Sequence, residues 1–189
     1  MSEPYLELRL GDLLESVVEG GGPGAGAIAG LTAAAAAALV ELAARATDRD
    51  DWPEAAGAAA QARTLRERLV PLARKDAEAY QAAVAQLQER GDDFALGEAL
   101  ALAADIPLEI ADQAENVAAL ASEAAARANP DLRADASAAA ALALGAAWAA
   151  AKLVEVNLAM RSDDARLTRA RQIAAGATRT AREALTVDE

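Results

Sequence analysis

Residues 20–40 read GGGPGAGAIAGLTAAAAAALV, an uncharged stretch in which a glycine-rich turn runs straight into an alanine tract. Alanine is the best helix former and a poor strand residue, so the tract predicts a helix from about Ala25 to Ala46. The run is long enough to raise the question of a membrane span. It holds few of the Leu, Ile and Phe residues that drive insertion, and a helix buried in a bundle or a dimer interface is expected instead. A second uncharged run, residues 136–151, ASAAAALALGAAWAAA, carries only Leu142, Leu144 and Trp148 as large side chains. Two such helices imply a common interior.

Working outward, Leu13, Leu14, Val17 and Val18 form one apolar stripe on a short helix, Asp12 to Val18, ended by the glycines. After a turn through residues 48–53, Glu54 to Arg90 has a helical pattern, with Pro71 expected to kink or divide it and Gly91 to cap it. Asp92 or Asp93 starts a helix to about Ala104, and Pro107 begins or bends the next, which reaches about Ala128. Asn129-Pro130-Asp131 is a turn before another long helix, to near Met160. Ser162-Asp163-Asp164 caps a last helix to about Leu185.

The expectation is therefore an all-α, single-domain bundle of six or seven helices over residues 1–189. Of these residues, 58 are alanine, while aromatics make up 3%. Methyl side chains let helices approach closely, near the short end of the usual 8–10 Å spacing. They also bury little apolar area each, at about 25 cal/mol per Å², so a homodimer is expected to supply the missing burial.

The chain has no cysteine and no histidine. Disulfides, thiolate nucleophiles, cysteine-ligated zinc and imidazole catalysis are excluded, and no metal site is predicted. A net charge of −12 opposes sequence-independent nucleic-acid binding, which needs basic residues to neutralise phosphates. Residues Met1 to Pro4 show no basic region followed by an apolar run, so no signal peptide is read and a cytoplasmic protein, away from membranes, is expected.

Three segments offer chemistry. The turn Pro23-Gly24-Ala25-Gly26-Ala27 brings backbone amides to a helix N-terminus, as a ligand cradle or as a plain connector between packed helices. It is neither a P-loop nor a dinucleotide fingerprint. Asp76 and Tyr80 lie four apart on one helix face, as a proton-transfer pair if desolvated or as part of a solvated cluster with Arg74, Lys75 and Glu78. Asp131 and Asp135, beside Arg133, precede the uncharged helix, either as dipole-complementing acids or as functional carboxylates. Asp105, Glu109 and Asp112 read as a wet face, Lys152 and Glu155 as a pair, and Asn157 as an amide needing partners in an apolar run.

Together these segments resemble the cyclodeaminase/cyclohydrolase family, all-helical folate enzymes related to the C-terminal domain of formiminotransferase-cyclodeaminase. Pro23 to Ala27 is similar to its entry motif, approximately Pro-x-Pro-Gly-Gly-Gly-Ser, Asp76 to Tyr80 to Asp-x-x-Ala-Phe/Tyr, and Ile106-Pro107-Leu108 to Val-Pro-Leu. Ala128-Asn129 through Ala134-Asp135 is similar to its Gly-Asn-x-x-x-x-Ser-Asp, and Val156-Asn157-Leu158 to Ile-Asn-Leu. The chain departs at Ala25, Ala27 and Ala134, which replace a glycine and two serines, and at Leu153, which replaces an asparagine.

The resemblance implies a helical homodimer acting on a tetrahydrofolate derivative as substrate, with no tightly bound cofactor. Its activities are ring closure of formimino-tetrahydrofolate with loss of ammonia, or hydrolysis of methenyl-tetrahydrofolate. It implies catalytic roles for Asp76 and Asp135. It also implies substrate contacts from Pro23, Gly24, Gly26, Tyr80 and Asn157, with Arg45, Arg74 or Arg133 attracting the glutamate tail. The alternative is a non-catalytic helical dimer that binds a metabolite or a protein partner on the same scaffold.

Overall fold

The structure, a computed structural model, describes residues 4–20, 23–90 and 93–186. Among these residues there is no strand, and seven helices have ten residues or more. A short turn of helix, α1 (Pro4–Glu7), precedes α2 (Leu10–Glu19). The body consists of α3 (Ala25–Arg45), α4 (Ala55–Arg90), α5 (Asp93–Ala103), α6 (Asp105–Arg127), α7 (Arg133–Asn157) and α8 (Ala165–Leu185). Gly21, Gly22, Gly91 and Asp92, named in the sequence reading, lie outside the described residues.

Short connections turn α3, α4, α6, α7 and α8 back on one another, so successive helices run in opposite directions. α7 is central, packed on α3, α6 and α8, while α3 also packs on α4. The alanine faces do what their size permits. Ala33, Ala36, Ala37 and Ala43 of α3 and Ala139, Ala140, Ala143 and Ala147 of α7 are fully buried against one another and their neighbours. Of the larger side chains, Trp52, Leu69, Leu72 and Ile110 fill the remaining core. A smaller cluster, including Val154, Leu158 and Leu167, closes the end where α7 finishes and α8 begins.

Both helix ends are tied by specific groups. At one end the Thr47 hydroxyl donates to the Ala43 carbonyl at 2.7 Å and accepts from the Asn129 amide at 3.0 Å, joining two interhelical turns. The Asn129 side chain accepts from the Asp131 amide at 3.1 Å and starts a 3₁₀ turn, Pro130–Leu132. At the other end Asp164 caps α8, and Arg166 reaches the Ala101 carbonyl at 2.8 Å and Asp105 at 2.7 Å. Asp105 and Asp112 are thus held by Arg166 and Arg169 of α8 rather than forming a purely wet face.

The sequence reading needs two corrections. Pro71 does not divide its segment, because α4 runs unbroken from Ala55 to Arg90. Leu65, Leu69, Leu72 and Ala73, all buried, hold the helix across the proline, so packing outweighs the lost hydrogen bond. The α2 stripe is not buried as a unit. Leu13 is covered, but Leu14, Val17 and Val18 are exposed, Val18 at 82%. The helix finds no broad apolar surface of this chain to lie on.

The α3 helix and residues 130–157 are each long and apolar enough to cross a membrane by composition alone. In the bundle, 61% of the apolar window of α3 is buried, against 44% for the α7 window.

Candidate active site

A cavity of about 590 Å³ opens where the start of α3, the middle of α4 and the end of α7 meet. The α3 wall is the turn Pro23 to Gly26. Gly24 is its N-cap and offers no side chain, so the first amides of α3 are left for whatever enters. Asp76, Tyr80 and Gln81 face the cavity from α4, and Leu153, Val156 and Asn157 from α7. Val17 of α2 and Ala103 of α5 complete the rim.

Asp76 and Gly26 are built for each other. A Cβ on Gly26 would overlap the Asp76 carboxylate, so the glycine at this position is a steric requirement for the acid. The carboxylate has no hydrogen-bond partner among the described residues, and burial pushes its pKa up to about 6. A group with that pKa holds or gives up a proton near neutral pH, which is what a general acid/base requires. Tyr80, one turn on, is 57% exposed and stands at the mouth. Tyr5 of α1 has its phenol pKa raised by burial, then by the negative charges of Glu78 and Asp76. It therefore lies within the field of the same acid.

The structure thus gathers Pro23, Gly24, Gly26, Asp76, Tyr80 and Asn157 around one cavity. It does not bring Asp135, Arg133 or Arg45 there. Asp135 sits in the first turn of α7, 22 residues before Asn157 on the same helix, or about 33 Å at 1.5 Å per residue. Arg133 donates to the Ala128 carbonyl at 3.1 Å and borders a separate cavity of about 320 Å³ with Ser122 and Glu183. Arg45, at the far end of α3, meets Glu41 at 3.4 Å, a nearly buried acid also bound by Arg63 and Arg66. Arg74 is engaged with Glu78 at 2.8 Å.

Gln81, Val17 and Tyr5 were missed in the sequence reading. Gln81 lies five residues beyond Asp76, about 140° round the helix, so the i, i+4 spacing that pairs Asp76 with Tyr80 does not reach it. Tyr5 lies in a segment whose pattern says nothing about where it folds back.

A closely packed helical bundle with a desolvated acid held under a glycine-rich helix start defines a class: an alanine-cored domain built around a carboxylate. The family model described as formiminotransferase-cyclodeaminase matches residues 13–175, and the chain belongs to that family. Among solved structures, the chain resembles the crystal structure of formiminotetrahydrofolate cyclodeaminase from Thermotoga maritima. The TM-score is 0.82 and the identity 24%, over 96% of this chain and 97% of that one. That likeness establishes the all-helical fold. No curated protein matches the chain.

Proposed function

We propose that this protein is a folate-dependent one-carbon enzyme, a cyclodeaminase or cyclohydrolase, with Asp76 as its acid/base. Support comes from family membership and, above all, from one observation: a solitary carboxyl with a pKa of about 6 on the wall of a largely apolar cavity. Both reactions pass through a tetrahedral carbon between the two folate nitrogens N5 and N10. In the hydrolysis, water adds to the methenyl carbon and one carbon–nitrogen bond breaks. Asp76 takes a proton from the water and returns it to the departing ring nitrogen, while the remaining hydroxyl proton goes to solvent as the formyl carbonyl forms. In the deamination, N10 attacks the carbon of the protonated formimino group, Asp76 takes the N10 proton and passes it to the amino nitrogen of the tetrahedral intermediate, and ammonia leaves as the methenyl cation forms. Each cycle restores the carboxyl, so no imidazole is needed.

Asn157 and Gln81 supply the amide donors and acceptors that orient a pterin ring, and the free amides of α3 favour an electron-rich group near Gly24. The enzyme acts as a homodimer in the cytoplasm. The decisive experiment follows the absorbance of methenyl-tetrahydrofolate and the release of ammonia from formimino-tetrahydrofolate. Wild-type protein accelerates one of them, and Asp76→Asn lowers kcat by about 10²–10⁴-fold. Tight folate binding without turnover by wild type establishes the non-catalytic alternative.

A further inference from the structure

Asp76 lies flat against Gly26. Both carboxylate oxygens and the carbon between them come about equally close to the point where a Cβ on Gly26 would stand, so the group meets α3 with its face. A carboxylate accepts hydrogens near its own plane, and contact through the face leaves that accepting edge clear. No hydrogen bond or ion pair among the described residues uses the edge, and desolvation alone shifts the group. The walls beside it are apolar, Val17, Val84, Leu153 and Val156 among them, and no Arg or Lys stands among the described lining residues. Arg74, two positions before Asp76, is engaged by Glu78 at 2.8 Å.

Once ionised, Asp76 is a full negative charge that the start of α3 offsets only by about half. In an enclosure of low polarity such a charge acts more strongly than in water, and the ligand that balances it is a cation. The walls narrow the class further. A compact ammonium is strongly hydrated, and besides Asp76 the described lining offers it just the polar side chains of Tyr80, Gln81 and Asn157 in place of water. A planar cation whose charge is spread over N–C–N holds its hydration more weakly and can lay a flat body on the apolar walls.

We propose that the cavity is a binding site for a delocalised cation, an amidinium on a flat apolar body, paired with the free edge of Asp76. The inference rests on the folate reading for its natural ligand, since both candidate substrates carry such a charge at the reacting carbon. The protonated formimino group brings an N–H for the edge, and the methenyl carbon brings charge alone. Pairing selects the ionised acid, which is the form that accepts a proton. It also separates the two reactions. Hydrolysis turns the cation into a neutral formyl group and breaks the pair, so the product is released. Ring closure turns one amidinium into another, so its product stays paired and competes with fresh substrate.

The pairing depends on pH through Asp76, which is ionised at pH 8 and protonated near pH 4. The other titratable or charged groups around it are Tyr5 of α1 and, on its own helix, Arg74, Lys75, Glu78 and Tyr80. On α7, Glu155 is bound by Lys152 and Arg171. The described lining residues of α2, α3, α5 and α7 carry no titratable side chain.

The probes are benzamidinium, its neutral isostere benzamide, and benzylammonium, whose charge is compact, each titrated calorimetrically into the full chain. At pH 8 benzamidinium binds at least about 10-fold more tightly than either of the others. Near pH 4 benzamidinium and benzamide bind within about 2-fold of each other, and Asp76→Asn shows the same levelling at pH 8. Glu78→Gln keeps the preference, which separates Asp76 from the exposed acid two residues on. Benzamide or benzylammonium equal to benzamidinium in wild type at pH 8, no binding of any probe, a preference that survives Asp76→Asn, or one that vanishes in Glu78→Gln overturns the cation site. None of these titrations needs folate. The stated preference in a chain that neither binds nor converts folate leaves the cation site standing and removes the folate reading. Folate turnover without the preference does the reverse.

Discussion

At the scale of single residues, the site turns on a carboxyl that water cannot reach freely. Burial raises the Asp76 pKa from 3.8 to about 6, so the folded state binds its proton more tightly than the unfolded chain does. The destabilisation is absent below pH 3.8, grows as pH rises through about 6, and is complete above it. Asp76→Asn should therefore raise thermal stability at pH 8, by at most about 3 kcal/mol, and leave it unchanged near pH 4. Scanning calorimetry at the two pH values checks both halves. The rate should show the same group: kcat/KM for the folate substrate bends near pH 6 in wild type. Gly26→Ala forces the Asp76 carboxylate from its place and is expected to lower kcat by about 10²-fold, with melting and turnover measured on one preparation.

At the scale of elements, α3 was legible from its alanine tract, and the starts of the segments after α6 and before α8 from the chemistry of their ends. Asn129 and Asp164 stop or start helices with their own side-chain hydrogen bonds, and both positions stand out in the pattern. Pro71 does not divide α4, because a proline's effect depends on what surrounds it, and the buried leucines around it are a tertiary fact. Pro71→Ala should accordingly stabilise the protein, by about 1–3 kcal/mol in urea denaturation, since it restores a helical hydrogen bond in a helix that already runs unbroken through this position. The site was half legible for a similar reason. Motif order picks out candidate residues but not the height at which each sits. Yet the reading that placed Asp135 and Asn157 on one long helix already implied their separation, since 22 residues of helix cannot fold back on themselves.

At the scale of the whole molecule, composition announced the all-helical class, and the burial of alanine faces along α3 and α7 confirms why so many helices fit so few residues. Composition could not say which apolar faces stay uncovered, because α2 and the outer sides of α3 and α7 have the same pattern as their buried counterparts. The large core side chains are few, so each matters. Leu69→Ala should cost about 2–5 kcal/mol, measured by chemical denaturation, because Leu69 is fully buried and its loss leaves a cavity.

The methyl core has a further consequence. A centre made of alanines offers a missense change almost nothing to remove, so harm there arises by adding atoms. Ala143, fully enclosed, has no space for a longer side chain, and Ala143→Leu should disrupt the bundle more than the reverse exchange does in a leucine-filled one. At its alanine positions such a core is fragile to growth, and substitution there should favour small residues exchanging among themselves.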